Sequence, residues 1–203
     1  MKSWSGVHRG AWLGAAVAAL VAACVTQEEK RDATIAVNRA FQVEYERTLA
    51  DRGVRSYKVK KTEAFVALHA ALSRLGMRVE SQEPEVGYLA VYAPAPIPLN
   101  AQEWGEAAAA DLPKIRAIAR PHIGMAAEFI SFEPEGLLIV INATAVEIPA
   151  GSEVSLTMRM REVAPPKSGM PRREYPPPTG LRIGLDKIWA QFEQELRAAR
   201  RIP

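Results

Sequence analysis

The chain has 203 residues, 48% apolar and 24% charged, the proportions of a globular protein and enough for one ordinary domain with appendages. Its formal net charge is +3, but setting aside Lys2 and Arg9 at the start leaves 24 basic against 23 acidic residues, a net of +1. That balance excludes the basic excess on which nucleic-acid binding depends, and the apolar share excludes a natively disordered chain.

Residues 1–10, MKSWSGVHRG, carry Lys2 and Arg9 and no acid, and Ala11 to Ala23 is a 13-residue run dominated by Ala, Leu and Val. A charged start followed by a short apolar run is the layout of a secretory signal. Crossing the hydrocarbon core takes about 20 apolar residues, so export and cleavage are expected rather than a membrane span. The run stops at Cys24, the only cysteine of the chain. A lone thiol forms no internal disulfide, and in an exported protein it calls for another use. Leu20-Val21-Ala22-Ala23-Cys24 resembles the lipobox of bacterial lipoproteins at every position. The resemblance implies that the thiol of Cys24 is alkylated by a diacylglyceryl group, that the leader 1–23 is removed, and that the freed amine is acylated by a fatty acid such as palmitate. Two or more acyl chains hold a protein stably on a bilayer, at about 0.8 kcal/mol per buried methylene. In that family an Asp after the cysteine favours the inner membrane. Here Val25 follows, which implies lipid anchoring at the outer membrane of the cell envelope, on the periplasmic face.

The mature chain starts polar, with VTQEEKRD, as a tether would. Ala33 to Gly53 has helix propensity and Gly53 suits a helix end, yet Phe41, Val43 and Tyr45 alternate like a strand, so residues 24–53 read as a tether and a lead-in of helix or strand. Residues 54–203 read as a single domain. Tyr57 and Val59 mark a short strand; Thr62 suits an N-cap, and Phe65, Leu68, Leu72 and Leu75 follow at helical spacing until Gly76 supplies a left-handed stop. Met77 with Val79, and Leu89 with Val91, alternate on either side of a turn at Gln82 to Gly87. Pro94, Pro96 and Pro98 then take the chain out of the sheet. Asn100 and Glu103 form a capping-box pattern for a helix to Asp111, with a restart at Pro113 and an end at Pro121. Strands are expected at Ala126 to Glu133, Leu137 to Glu147 and Glu153 to Val163, the last with Val154, Leu156, Met158 and Met160 on one face. Leu185, Ile188, Trp189, Phe192 and Leu196 stripe a closing helix.

Alternating strands joined by short turns, with singly striped helices, predict an α+β fold: two layers, a mostly antiparallel sheet covered by helices on one face. RSYKVKKTEAFVALHAALSRLGM, the VE...GYLAV hairpin and LDKIWAQFEQEL together resemble the helix-grip domains of periplasmic lipoproteins such as BamC, an accessory of the machine that inserts outer-membrane barrels. The Pro-rich exit and helix between Ala93 and Gly124 depart from that pattern.

No nucleophile elbow, phosphate loop or metal-binding spacing is present. His69 lies beside the apolar stripe of its helix and His122 at a helix end, both explained by packing and the helix dipole; Asn142 heads an N-A-T sequon but falls inside a predicted strand. The expected function is therefore non-catalytic, with no cofactor: an accessory that binds an envelope protein partner, and the membrane through acyl chains on Cys24. A small-ligand or lipid carrier is the alternative, and a hydrolase the remaining one. PPKSGMPRREYPPPTG, Pro165 to Gly180, holds six of the 15 prolines and so favours a stiff polyproline II shape. Within it Arg172, Arg173 and Tyr175 are the candidate partner contacts, beside the plainer reading of a crossing segment with Tyr175 packed on the sheet.

Overall fold

The computed structural model describes residues 25–164 and 174–203. In chain order these form helix α1 (Gln27–Arg52), strand β1 (Val54–Tyr57), helix α2 (Lys61–Arg74), the hairpin β2 (Arg78–Glu83) and β3 (Tyr88–Pro94), helix α3 (Ala101–Ile123), a 3-10 turn (Gly124–Phe129), the hairpin β4 (Leu137–Ile148) and β5 (Gly151–Glu162), and helix α4 (Pro178–Ala198). The five strands make one antiparallel sheet in the order β1-β5-β4-β3-β2. The expected α+β class, with an antiparallel sheet and helices on one face, is the observed architecture.

The core follows the two periodicities. Ile139 and Ile141 of β4 and Leu156 and Met158 of β5 point to one face, where they meet Leu68 and Leu72 of α2 and Leu185, Ile188, Trp189 and Phe192 of α4, all at most 2% exposed. Burying each such side chain contributes about 1.5–3 kcal/mol. Trp189 also needs a partner for its ring N–H, and donates it to the carbonyl of Arg52 at 2.8 Å, tying the end of α1 to α4. Gly76, with φ of 84°, supplies the expected left-handed stop after α2. At Gly87, φ is 78° and an added Cβ would lie 2.0 Å from the carbonyl oxygen of Ala145, so only glycine lets the β2–β3 turn close against β4.

A second, smaller cluster joins α1, α3 and the 3-10 turn: Ala33, Val37 and Phe41 against Ile115, Ala119, Ala127 and Ile130. α1 and α3 run antiparallel, with Lys114 bonded to Glu44 at 2.8 Å and His122 beside the earlier turns of α1. α3 is likewise antiparallel to α4: the Lys187 ammonium meets Glu103 at 2.7 Å, and both oxygens of the buried Asp111 accept from Thr179, from its N–H at 2.8 Å and its hydroxyl at 2.9 Å. Since Pro177 and Pro178 give α4 no side-chain cap of its own, Asp111 caps it from a neighbouring helix.

Four expectations are corrected and one open choice is decided. VTQEEKRD is not a tether, because Thr26 and Glu29 form a capping box (Thr26 N–H to Glu29 at 2.7 Å, Glu29 N–H to Thr26 Oγ1 at 3.2 Å) that starts α1 at Gln27. The open choice at 33–53 resolves to helix: Phe41 and Tyr45 are buried while Val43 is 54% exposed, which a strand carrying all three on one face would not allow. The strand expected at Ala126 to Glu133 is absent; Ala127 and Ile130, three apart, turn inward as 3-10 spacing requires. α3 runs unbroken through Pro113 and carries Pro121 in its last turn. Finally, α2 starts two residues earlier than Thr62 suggests, with the Glu63 carboxylate accepting the Lys60 N–H at 3.1 Å.

Candidate functional site

Among the described residues, the helices cover one face of the sheet and leave the other bare. By the strand register, Tyr88 and Tyr92 of β3 share that outer face with Leu138, Val140, Asn142 and Thr144 of β4 and with Ser155, Thr157, Arg159 and Arg161 of β5. Tyr88, Tyr92, Leu138 and Val140 are half-buried by their neighbours alone. Several polar groups on this face pair with one another: the Tyr88 hydroxyl donates to Asn142 Oδ1 at 3.0 Å, the hydroxyls of Thr144 and Ser155 share a bond of 2.6 Å, and Arg161 pairs with Glu80 at 3.2 Å. A prearranged surface with rigid aromatic rings and little polar desolvation left to incur is suited to contact with another protein. Sequence reasoning fixed the inward phase of these strands and passed over the outward one. The signal was present, since YLAVY is apolar in both phases, as a strand with two partly buried faces requires.

Of the residues singled out from the sequence, Cys24, Arg172 and Arg173 lie outside the described residues. Tyr175 is described, and it packs: its ring meets Tyr45 edge-on at 5.2 Å, and the Arg159 guanidinium lies 5.3 Å from its centroid and 5.6 Å from that of Tyr45. Beside it the Glu174 carbonyl accepts the Met160 N–H at 3.0 Å. These contacts pin the returning chain to the β5 edge beyond the end of β1. His69, on α2, and His122, in the last turn of α3, are half-buried and stand apart on different helices.

A largely enclosed cleft between α1, α3 and Tyr175 is lined by Val37, Phe41, Ile115, Ile130 and Phe132 and has an interior volume of about 10 Å³, room for one water. Small-molecule pockets run from about 300 Å³ upward. Two larger hollows, of about 330 Å³ between α2 and the end of α4 and about 520 Å³ over α1, are open to solvent.

Shifted titrations mark structural ties. Burial pushes the Tyr57 hydroxyl up to about 12, and the negative charge of Glu193, to which it donates at 3.1 Å, adds to the rise. Arg55 and Arg197 share the same carboxylate at 3.0 and 3.1 Å, so this cluster bolts β1 to α4. Glu103 is held below the usual carboxylate value by its bond to Lys187 and by the Asn100 N–H; Glu44 is lowered by Lys114. Among the described residues no group of three His, Cys, Asp or Glu side chains is placed to hold a metal, and no helix is long and apolar enough to cross a membrane. Comparison with protein-family models, curated proteins and solved structures finds no match to this chain.

Proposed function

We propose that the protein is a lipid-anchored accessory of a bacterial cell envelope, held at the periplasmic face of the outer membrane through acyl chains on Cys24 and binding a protein partner through the bare face of its sheet. The anchor rests on the charged start, the 13-residue apolar run and Leu20-Val21-Ala22-Ala23-Cys24. The observation that carries the binding role is the outer sheet face, where Tyr88, Tyr92, Leu138 and Val140 stand half-exposed with no helix of the described residues over them. Likeness to the helix-grip lipoproteins such as BamC agrees with this reading, since a sheet gripping a helix on one side leaves the other for a partner. A binding role of this kind needs neither nucleophile nor metal.

The test is site-specific photo-crosslinking in intact cells. A photoreactive residue at Val140, on the bare face, is expected to give one discrete adduct; the same residue at Val66, 66% exposed on the outer side of α2, is expected to give none. Changing Cys24→Ser should release the protein from the membrane fraction and abolish the adduct. The same products from both positions would overturn the proposed face.

A further inference from the structure

The antiparallel run of α1 and α3 brings the first turns of α1, the last turn of α3 and the 3-10 turn to one end of the molecule. Ala127 and Ile130 pack there on Ala33 and Val37. The alternate positions of the same turn point outward: Met125 is 68% exposed and Phe129 58%. Two large apolar side chains left exposed within one short turn are an unusual concentration, and removing each from water contributes about 1.5–3 kcal/mol. The surrounding charges cancel, with Lys30, Arg31, Arg39 and Arg120 set against Glu28, Glu29, Asp32 and Glu128, the last paired with Arg120.

Chain length says what this end faces. Only Val25 and Thr26 separate Cys24 from the first residue of α1. Three residue steps span at most about 10 Å even when fully extended. A lipid on Cys24 therefore holds the start of a 26-residue helix within about 10 Å of the glyceryl group, and interfacial elements bury their apolar faces by about 5–10 Å into the headgroup boundary.

We propose that this end is a membrane-docking surface: with Cys24 acylated, Met125 and Phe129 enter the headgroup layer of a phospholipid bilayer and fix the domain in one orientation. The inference rests on the lipid-anchor reading and deepens it, replacing a free swing with a seated domain. Because the local charges balance, the docking is apolar in origin and independent of salt and of the anionic-lipid fraction.

The experiment uses the full acylated chain in vesicles of phosphatidylethanolamine with a minor fraction of phosphatidylglycerol. Acylation consumes the thiol of Cys24, so a single introduced cysteine, Phe129→Cys or Met125→Cys, takes an environment-sensitive dye alone. Val86→Cys is the control: it is 59% exposed in the β2–β3 turn, beside Lys61 at the start of α2 and past the far end of α1, a helix about 39 Å long. Brominated lipid is expected to quench the dye at 125 and 129 several-fold more than at 86, in low and high salt alike. Equal quenching at all three positions, on a chain that floats with vesicles and shows the acylated mass, overturns docking and leaves the anchor standing. Preferential quenching that disappears in high salt overturns the apolar origin. A chain that does not float and carries a free Cys24 thiol overturns the anchor and the docking with it.

Discussion

The two packing regions differ in what fills them. Between the sheet and the pair α2 and α4, the interior is built of Trp189, Phe192, twelve leucines and isoleucines and three methionines, most of them with almost no exposed surface. Between α1, α3 and the 3-10 turn, three of the seven buried residues are alanines, and Phe41 is the only large ring among them. The first region closes through strands distant in sequence; the second is a helix pair leaning on α4, joined to it by Lys187–Glu103 and Asp111–Thr179, and to the segment leading into it by the Tyr45–Tyr175 contact. Small side chains let α1 and α3 approach closely but bury little area, so the second region depends on the first, and not the reverse.

The largest effect should come from the first region. Trp189→Ala removes the biggest fully buried side chain together with its bond to the Arg52 carbonyl, and should cost about 3–5 kcal/mol, a large part of the stability of an ordinary domain. Urea unfolding would show it as a lower midpoint with every probe moving together. Phe41→Ala should cost about 3 kcal/mol but locally: hydrogen exchange should accelerate in α1 and α3 while β4 and β5 keep their protection. Equal acceleration in the sheet would show that the regions unfold as one and break the contrast. Asp111→Ala, which uncaps α4 and leaves the N–H of the half-buried Thr179 without its acceptor, should cost about 1–3 kcal/mol and be felt in both regions, because the residue bridges them.

The same contrast governs how much could be read from the sequence. In the first region strict periodicity carries the information: Val154, Leu156, Met158 and Met160 alternate, and Leu185, Ile188, Trp189, Phe192 and Leu196 recur at three and four, so strand, helix and inward face were all legible. In the second, alanine dominates. Ala126 and Ala127 carry little contrast between inside and outside, and the stretch from Ala126 reads as a strand until tertiary packing selects 3-10 spacing. Phe41, Val43 and Tyr45 alternate by coincidence, and only burial shows that Val43 is on the other side of a helix. Of the candidate site, the inward phase of YLAVY drew attention to the strand and away from its outward tyrosines. Asp111 was hidden for a different reason: its partner Thr179 lies 68 residues away, and no local pattern announces a cap supplied by another helix.

Thr26→Ala tests the least expected boundary in the molecule. Loss of the capping box should cost about 1 kcal/mol, read as faster exchange in the first turns of α1 with the sheet unaffected. A polar tether at this position would show no change at all.

The smallest effect sharpens the seam between the regions through pH. One oxygen of Glu103 accepts the Asn100 N–H at 2.7 Å and meets the Lys187 ammonium at 2.7 Å, so the same carboxylate caps α3 and ties it to α4. The lysine bond is the larger cause holding Glu103 below the ordinary value of 4.5 in the folded state. A carboxyl lowered on folding binds its proton more readily unfolded; its contribution is therefore complete above 4.5 and is lost as the pH falls below that value toward the lowered one. Glu103→Gln keeps the hydrogen-bond acceptor and removes the charge. It should lower stability by about 0.2–1 kcal/mol at neutral pH and by less in acid, so the thermal midpoints of variant and parent should converge below pH 4. If the gap between them stays constant with pH, Glu103 acts only as a cap, and the union of α3 with α4 rests on Asp111.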